Sequence, residues 1–212
     1  MKFLGPQDDF PSTREATEEG LLAIGGDLSP ERLMAAYSRG IFPWYEEGQP
    51  ILWWNPNPRM VLFPENLKVS KSMKQLLKKE AFEVSYNSAF SEVIDNCAMI
   101  KRPGQQGTWI TPEMKEAYLS LYQRGIAISV EVWRNNELVG GLYGIYLRDK
   151  KIFCGESMFT KVSNASKYGF IHLVRELKKE GLRLIDCQMY TPHLASLGAG
   201  EIPRSLFLKY LN

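Results

Sequence analysis

Long hydrophobic runs are missing from this sequence. No apolar stretch approaches the ~20 residues that a membrane-crossing helix needs, and the opening MKFLGPQDDFPS lacks the apolar core of a secretory signal. No membrane association and a cytoplasmic location are therefore expected. Cysteine is scarce: Cys97, Cys154 and Cys187 stand far apart with no CxxC pair, which excludes a disulfide framework and a thiolate zinc knuckle. Two of the three sit in apolar runs and read as reduced core residues. Histidine is scarcer, His172 and His193 alone, so neither a metal centre nor a metal-dependent chemistry is expected. An excess of one charge is also lacking, with 26 Lys and Arg against 24 Asp and Glu. Any contact with nucleic acid must then come from a local basic patch. The Gly25-Gly26 pair is not followed by Gly-Lys-Ser/Thr, so it reads as a tight turn rather than a phosphate loop. There are no internal repeats and no low-complexity segment.

What is present is an ordinary globular balance, 212 residues at 44% hydrophobic and 24% charged, enough for one large domain or one with a small companion. The Pro-rich stretch near Pro56 and Arg59 marks the expected boundary, giving a small N-terminal domain over residues 1–57 and a second domain over 58–212. In the first, Ser29 and Pro30 open a short helix that Gly40 stops. Residues 41–62 hold Phe42, Trp44, Tyr45, Trp53 and Trp54 among several prolines, which excludes a regular helix. They read as a rigid loop whose tryptophans either seal a core or offer a stacking platform. Residues 70–80 form an amphipathic helix with Met73, Leu76 and Leu77 inward. Its lysines, Lys78 and Lys79 among them, meet no acid until Glu80, a pattern that fits either a solvated face or a small phosphate footprint. A strand, a helix over 88–97, a polar loop over 101–107 and a helix opened by Thr111 and Pro112 follow. From residue 126 the pattern turns to strands: 127–134, a tight Asn135-Asn136 turn, 137–147 and 152–159. A helix then leads to a last strand, so the expected fold is α/β (α+β) with a mixed sheet.

The densest stretch is residues 182–204, LRLIDCQMYTPHLASLGAGEIPR. Its first half reads as a central strand, apolar on both faces. By the period of two, Asp186 and Gln188 share one face, roughly 7 Å apart at 3.3 Å per residue. An acid inside such a strand must be hydrogen-bonded, paired or protonated. Upstream, CGESMF places Glu156 inside another apolar strand, with Gly155 beside it as a bulge or a point of close approach. The intervening helix, with Phe170, Leu173, Val174 and Leu177 on one face, makes this a strand–helix–strand crossover. The two acid-bearing strands should then be parallel and close. Such a cluster is a structural network or a reactive site.

GESMFTK, LIDCQ, TPHLASLGA and EIPR, with GLLAIGGDLSPERL, AAYSRGIFPWY, ILWWNPNPRMVLFP and GTWIT upstream, resemble the leucyl/phenylalanyl-tRNA–protein transferases from about Phe10 to the C-terminal residues. The resemblance implies an acetyltransferase-like sheet after a small N-terminal domain. It implies transfer of Leu, Phe and less readily Met from aminoacyl-tRNA to the N-terminal Arg or Lys of proteins, which marks them for degradation. No cofactor is expected, and a monomer is. On the matching positions it implies that Gln188 orients the attacking amine, that Asp186 polarises or fixes Gln188, and that Glu156 is the acid associated with the same site. Trp44 and Trp109 would sandwich the terminal adenine of the tRNA, and Lys78 and Lys79 would lie near its acceptor stem. Leu142, Phe153, Met158, Leu173 and Ile185 would line an apolar pocket for the transferred side chain.

This sequence departs from the family pattern at Ile128, where many members have His, and at Lys161, where Arg is more usual; it ends at Asn212, where some members continue. Three other readings compete. A CoA-dependent N-acetyltransferase would need a glycine-bearing pyrophosphate loop where TKVSNASK has none. A non-catalytic RNA-binding module, or a domain with a purely structural polar core, would leave Glu156, Asp186 and Gln188 without a chemical task.

Overall fold

The structure is a computed structural model that describes residues 2–100 and 108–212; the loop expected over 101–107 lies outside the described residues. The strands are β1 (Lys2–Leu4), β2 (Leu21–Gly25), β3 (Phe42–Pro43), β4 (Leu52–Trp54), β5 (Arg59–Leu62), β6 (Glu83–Tyr86), β7 (Ala127–Arg134), β8 (Glu137–Leu147), β9 (Ile152–Thr160), β10 (Leu184–Gln188) and β11 (Gly200–Ile202). The helices are α1 (Pro30–Tyr37), α2 (Lys71–Lys78), α3 (Phe90–Met99), α4 (Pro112–Gln123), α5 (Ala165–Lys179), α6 (Pro192–Ser196) and α7 (Arg204–Leu211). Local chemistry accounts for several of these bounds. Ser29 and Thr111 accept from the backbone N–H groups of Arg32 and Met114, with Pro30 and Pro112 at the first helical position. Asn135 and Asn136, at φ 52° and 62°, form the two-residue turn between β7 and β8.

The strands build two sheets. A four-stranded sheet runs β1-β2-β4-β3, and a seven-stranded mixed sheet runs β11-β5-β10-β9-β8-β7-β6. The expected loop over residues 41–62 thus contains three short strands: β3, β4 and β5 pair with neighbours, because each proline falls at a strand end or between strands. Trp53 is a core residue, fully buried against Phe10 with its indole N–H donating to the Gly25 carbonyl. α5 covers one face of the large sheet through Phe170, Leu173, Val174 and Leu177. The other face carries α3 and α4 and is continuous with the apolar cluster of the N-terminal sheet, in which Leu22, Trp53, Leu33 and Tyr37 are buried.

As the crossover pattern requires, β9 and β10 are parallel neighbours. Their ladder runs from Leu184 opposite Ile152 to Asp186 opposite Cys154. Beyond that point both strands are bulged against their outer neighbours. On β9, Tyr143 faces Ser157 and Gly144 faces Gly155, which leaves Glu156 as the extra residue. On β10, Asp186 faces Val61 and Gln188 faces Met60, which leaves Cys187 extra. Bulges of this kind bend a strand and re-aim the side chains around it.

Gly144 is where this arrangement is least tolerant. A Cβ there would stand 2.2 Å from the Cys154 carbonyl oxygen and 2.5 Å from the Phe153 ring. Gly144→Ala is therefore expected to destabilise the protein by about 1–3 kcal/mol, read as a lower urea midpoint with an unchanged slope.

Candidate active site

Where β9 and β10 part, a cleft of about 580 Å³ opens. One wall is Gly155, Glu156, Ser157 and Met158 from β9; the other is Ile185, Cys187, Gln188, Met189 and Tyr190 from β10 and the segment after it. Leu142, Phe153 and Phe170 line an apolar part, and Phe42, Pro43, Trp44 and Trp109 close it on the N-terminal side. Trp44 is half-buried and packs edge-on against Trp54, whose indole N–H donates to the Trp44 carbonyl. Trp109 is largely buried.

Asp186 takes no part in lining the cleft. It is 1% exposed and is gripped by Arg59, itself 1% exposed, whose Nε and Nη2 donate to the two carboxylate oxygens at 2.7 Å each. The guanidinium packs against the rings of Phe42 and Phe207, 4.9 and 4.7 Å from their centroids. Asp186 Oδ1 also accepts the backbone N–H of Gln188 at 3.0 Å, and Gln188 adopts a left-handed backbone at φ 64°. Regular alternation ends here: Cys187 is bulged and Gln188 left-handed, and the Gln188 side chain lines the cleft with Ile185 and Cys187 while Asp186 does not. Asp186 thus fixes Gln188 through its main chain and not through its side-chain amide.

The amide of Gln188 instead meets Glu156, with Nε2 donating to Glu156 Oε1 at 3.1 Å. Two phenols complete the surroundings of that carboxyl. Tyr37 Oη lies 2.8 Å from Oε1, Tyr118 Oη lies 2.7 Å from Oε2, and the two hydroxyls are 2.6 Å apart. α1, α4, β9 and β10 therefore converge on one carboxyl group. Its pKa is raised to about 7, first by desolvation and secondarily by the nearby Asp186, against the lowering effect of its hydrogen bonds. Burial likewise pushes the Tyr37 and Tyr118 phenols and the Cys154 thiol well above their ordinary values.

Of the expected site residues, Glu156, Gln188, Trp44, Trp109, Leu142, Phe153, Met158 and Ile185 all line this one cleft. Leu173 does not: it is buried in the α5 layer behind Phe170, a turn further along the helix. Lys78 and Lys79 are exposed near the end of α2 and are not part of the cleft wall. Ile128, at the position of the expected histidine, is buried in the apolar layer under α5. His193 borders the cleft with its Nε2 buried and without a hydrogen-bond partner, and burial together with Lys167 lowers its pKa. His172 is half-buried and stacked on Tyr168. Sequence reasoning missed Arg59, Tyr37 and Tyr118. The requirement that a buried Asp186 have a partner signalled an ion pair without identifying the cation. Nothing in spacing singled out the two tyrosines.

Comparison with known proteins adds the lineage. The family model described as leucyl/phenylalanyl-tRNA protein transferase matches residues 61–212, and that of the N-terminal domain of the same transferase matches residues 26–57. The leucyl/phenylalanyl-tRNA–protein transferase of Christiangramia forsetii is 64% identical over 211 residues, covering 100% of both chains. That of Flavobacterium johnsoniae is 61% identical, covering 100% of this chain and 99% of its own. Among solved structures, a GCN5-related N-acetyltransferase from Kribbella flavida aligns over 84% of this chain and 63% of its own, with 9% identity and a TM-score of 0.41.

Removing one partner of a buried ion pair leaves an uncompensated charge, at a cost of about 3–5 kcal/mol. Arg59→Leu should show a loss of that size in chemical denaturation, whereas Arg59→Leu with Asp186→Leu should recover much of it. A single mutant as stable as the wild type would show that the pair is not sealed from water.

Proposed function

The chain belongs to the leucyl/phenylalanyl-tRNA–protein transferase family, an aminoacyltransferase family, and from that premise we propose that the cleft between β9 and β10 is where aminoacyl-tRNA and the acceptor protein meet. The reaction joins the acceptor's α-amine to the carbonyl carbon of the aminoacyl ester. A C–N bond forms, the bond from the carbonyl carbon to the ribose oxygen breaks, the amine loses a proton and the ribose oxygen gains one. The ester is already activated, so the protein's task is to align the reactants and to manage that proton.

The orientation of Gln188 carries this reading. Its amide nitrogen is occupied by Glu156, so its carbonyl oxygen is left to accept an N–H from the attacking amine and hold the nitrogen lone pair toward the ester. The apolar bay of Leu142, Phe153, Met158, Phe170 and Ile185 suits a Leu or Phe side chain, with Met158 flexible enough to accommodate both. Trp44 and Trp109 suit the terminal adenine, and the lysines of α2 suit the acceptor stem. The acceptors are proteins beginning with Arg or Lys, drawn by Glu156. The protein works as a cytoplasmic monomer, in two domains divided at residues 57 and 58. Among the described residues no helix is long and apolar enough to cross a membrane.

The direct test uses tRNA charged with radiolabelled Leu and peptides beginning with Arg, Lys, Ala or Glu. Label should pass to the first two; efficient transfer to the Glu peptide would sink the acceptor assignment. Gln188→Ala should lower kcat by about 10²-fold, the scale of a lost alignment, with little change in aminoacyl-tRNA binding.

Binding measurements separate the two modes of nucleic-acid recognition. Trp44→Ala should weaken aminoacyl-tRNA binding by about 1–3 kcal/mol at an unchanged salt slope, because stacking releases no counterions. Replacing Lys78 and Lys79 by Ala should make that slope shallower by about 0.7–0.9 for each phosphate that is no longer neutralised. An unchanged slope would return α2 to the status of a solvated face.

A further inference from the structure

The three oxygen contacts around Glu156 contain a proton count. Tyr37 Oη to Glu156 Oε1, Tyr118 Oη to Glu156 Oε2 and Tyr37 Oη to Tyr118 Oη, at 2.8, 2.7 and 2.6 Å, form a closed triangle of hydroxyl and carboxyl groups. Each contact at such a distance needs one proton between its oxygens. Two phenols supply two. If Glu156 is ionised, both phenols must donate to it, and the 2.6 Å approach of the two hydroxyls then sets lone pair against lone pair. If Glu156 is neutral the ring closes. Oε2–H donates to Tyr118, Tyr118 donates to Tyr37, and Tyr37 donates to Oε1, which also accepts from Gln188. Each hydroxyl and carboxyl proton is then used once, in a consistent direction around the ring.

We infer that Tyr37 and Tyr118 are positioning residues that hold Glu156 as a neutral acid in the unliganded enzyme, and that the ring opens and its proton passes to bulk water when the cationic end of an acceptor binds. The second half rests on the acceptor reading given above. The charged and titratable groups around this carboxyl agree with it. Asp186 on β10, a fixed negative charge, disfavours a second anion, and Arg59 on β5 is already committed to Asp186. Cys154 on β9, its thiol pushed well above the ordinary value by burial, stays neutral, and Tyr143 on β8 packs edge-on against Tyr118. No cation among the described residues makes a salt bridge to Glu156. A neutral Glu156 keeps the empty cleft from storing an unpaired anion, and its discharge makes binding selective for a cation.

The sign of the pH effect follows from a folded-state pKa raised to about 7 from an ordinary 4.5. Such a group contributes stability that is complete below the unfolded value and is lost as pH rises through the folded one. Relative to Glu156→Gln, which does not titrate there, the wild type should therefore lose stability between those two values. Infrared spectroscopy of the wild type alone covers the case in which the variant fails to fold. The carbonyl band of a protonated carboxyl should be present at about pH 6 and vanish at about pH 8, with the midpoint moved in Tyr118→Phe. Calorimetry at about pH 6 in two buffers of different ionisation enthalpy, with a peptide beginning with Arg, should record about one proton released per peptide bound. Absence of the carbonyl band, or a midpoint indifferent to Tyr118, overturns the ring. A band present in the free protein with no proton released on binding overturns the coupling. A peptide that does not bind at all counts against the acceptor reading, and leaves the ring to be judged by the infrared result.

Discussion

A guanidinium and a carboxylate that are each 1% exposed carry two full charges out of water, a cost that only near-ideal geometry offsets. Arg59 and Asp186 approach that condition with two N–H···O bonds of 2.7 Å and with the rings of Phe42 and Phe207 against the guanidinium, whose buried Nη1 alone is left without a hydrogen-bond partner. Their partners reach across the fold. Phe42 is on β3 and Phe207 on α7, while Asp186 is the last residue of β10 that still pairs with β9. The pair therefore clamps the strands at the point where they stop being a sheet and start being the walls of a cleft. Below it, backbone hydrogen bonds set the spacing; above it, side chains do.

Above the clamp, one carboxyl takes over as the organising group. Glu156 is the residue left over by the β8–β9 bulge, so neither sheet neighbour dictates its direction. It is held by Tyr37 from the N-terminal segment, Tyr118 from α4 and Gln188 from β10. Because Tyr37 belongs to the apolar cluster that runs from the small sheet into the large one, the polar centre and the apolar seam are a single arrangement. A shift of α1 against the large sheet would be felt at Glu156 as a broken hydrogen bond. Low dielectric makes such a network valuable when every group is satisfied and costly when one is not.

How much of this is legible in the sequence differs by level. Local signals are reliable: the Ser29 and Thr111 caps, the Asn135-Asn136 turn, and the strand–helix–strand spacing that makes β9 and β10 parallel. Each rests on chemistry within a few residues. The convergence of Glu156 and Gln188 is legible from that topology together with motif resemblance. The pairing of Asp186 with Arg59 and its absence from the cleft lining are not, because strand alternation assumes an unbroken ladder and the bulged Cys187 interrupts it. Arg59 and Tyr37 lie 127 and 119 residues from their partners, a separation over which no period or spacing carries information. Leu173 shares a helix face with Phe170 in the sequence pattern. Only the tilt of α5 on the sheet decides which of the two reaches the cleft.

The backbone of Gln188 shows what the chemistry requires of the fold. A left-handed residue other than glycine costs roughly 1–2 kcal/mol, and the bond from its N–H to Asp186 Oδ1 offsets part of that. Glycine would accept the turn but bring no amide. Asparagine tolerates the left-handed region, yet its side chain is one methylene shorter than the span to Glu156 requires. The clamp of Arg59 on Asp186 and the strain at Gln188 are thus one device. A buried anion, fixed by its cation, lends an acceptor to a backbone N–H at the bulge, and so helps to hold the residue whose side chain lines the cleft.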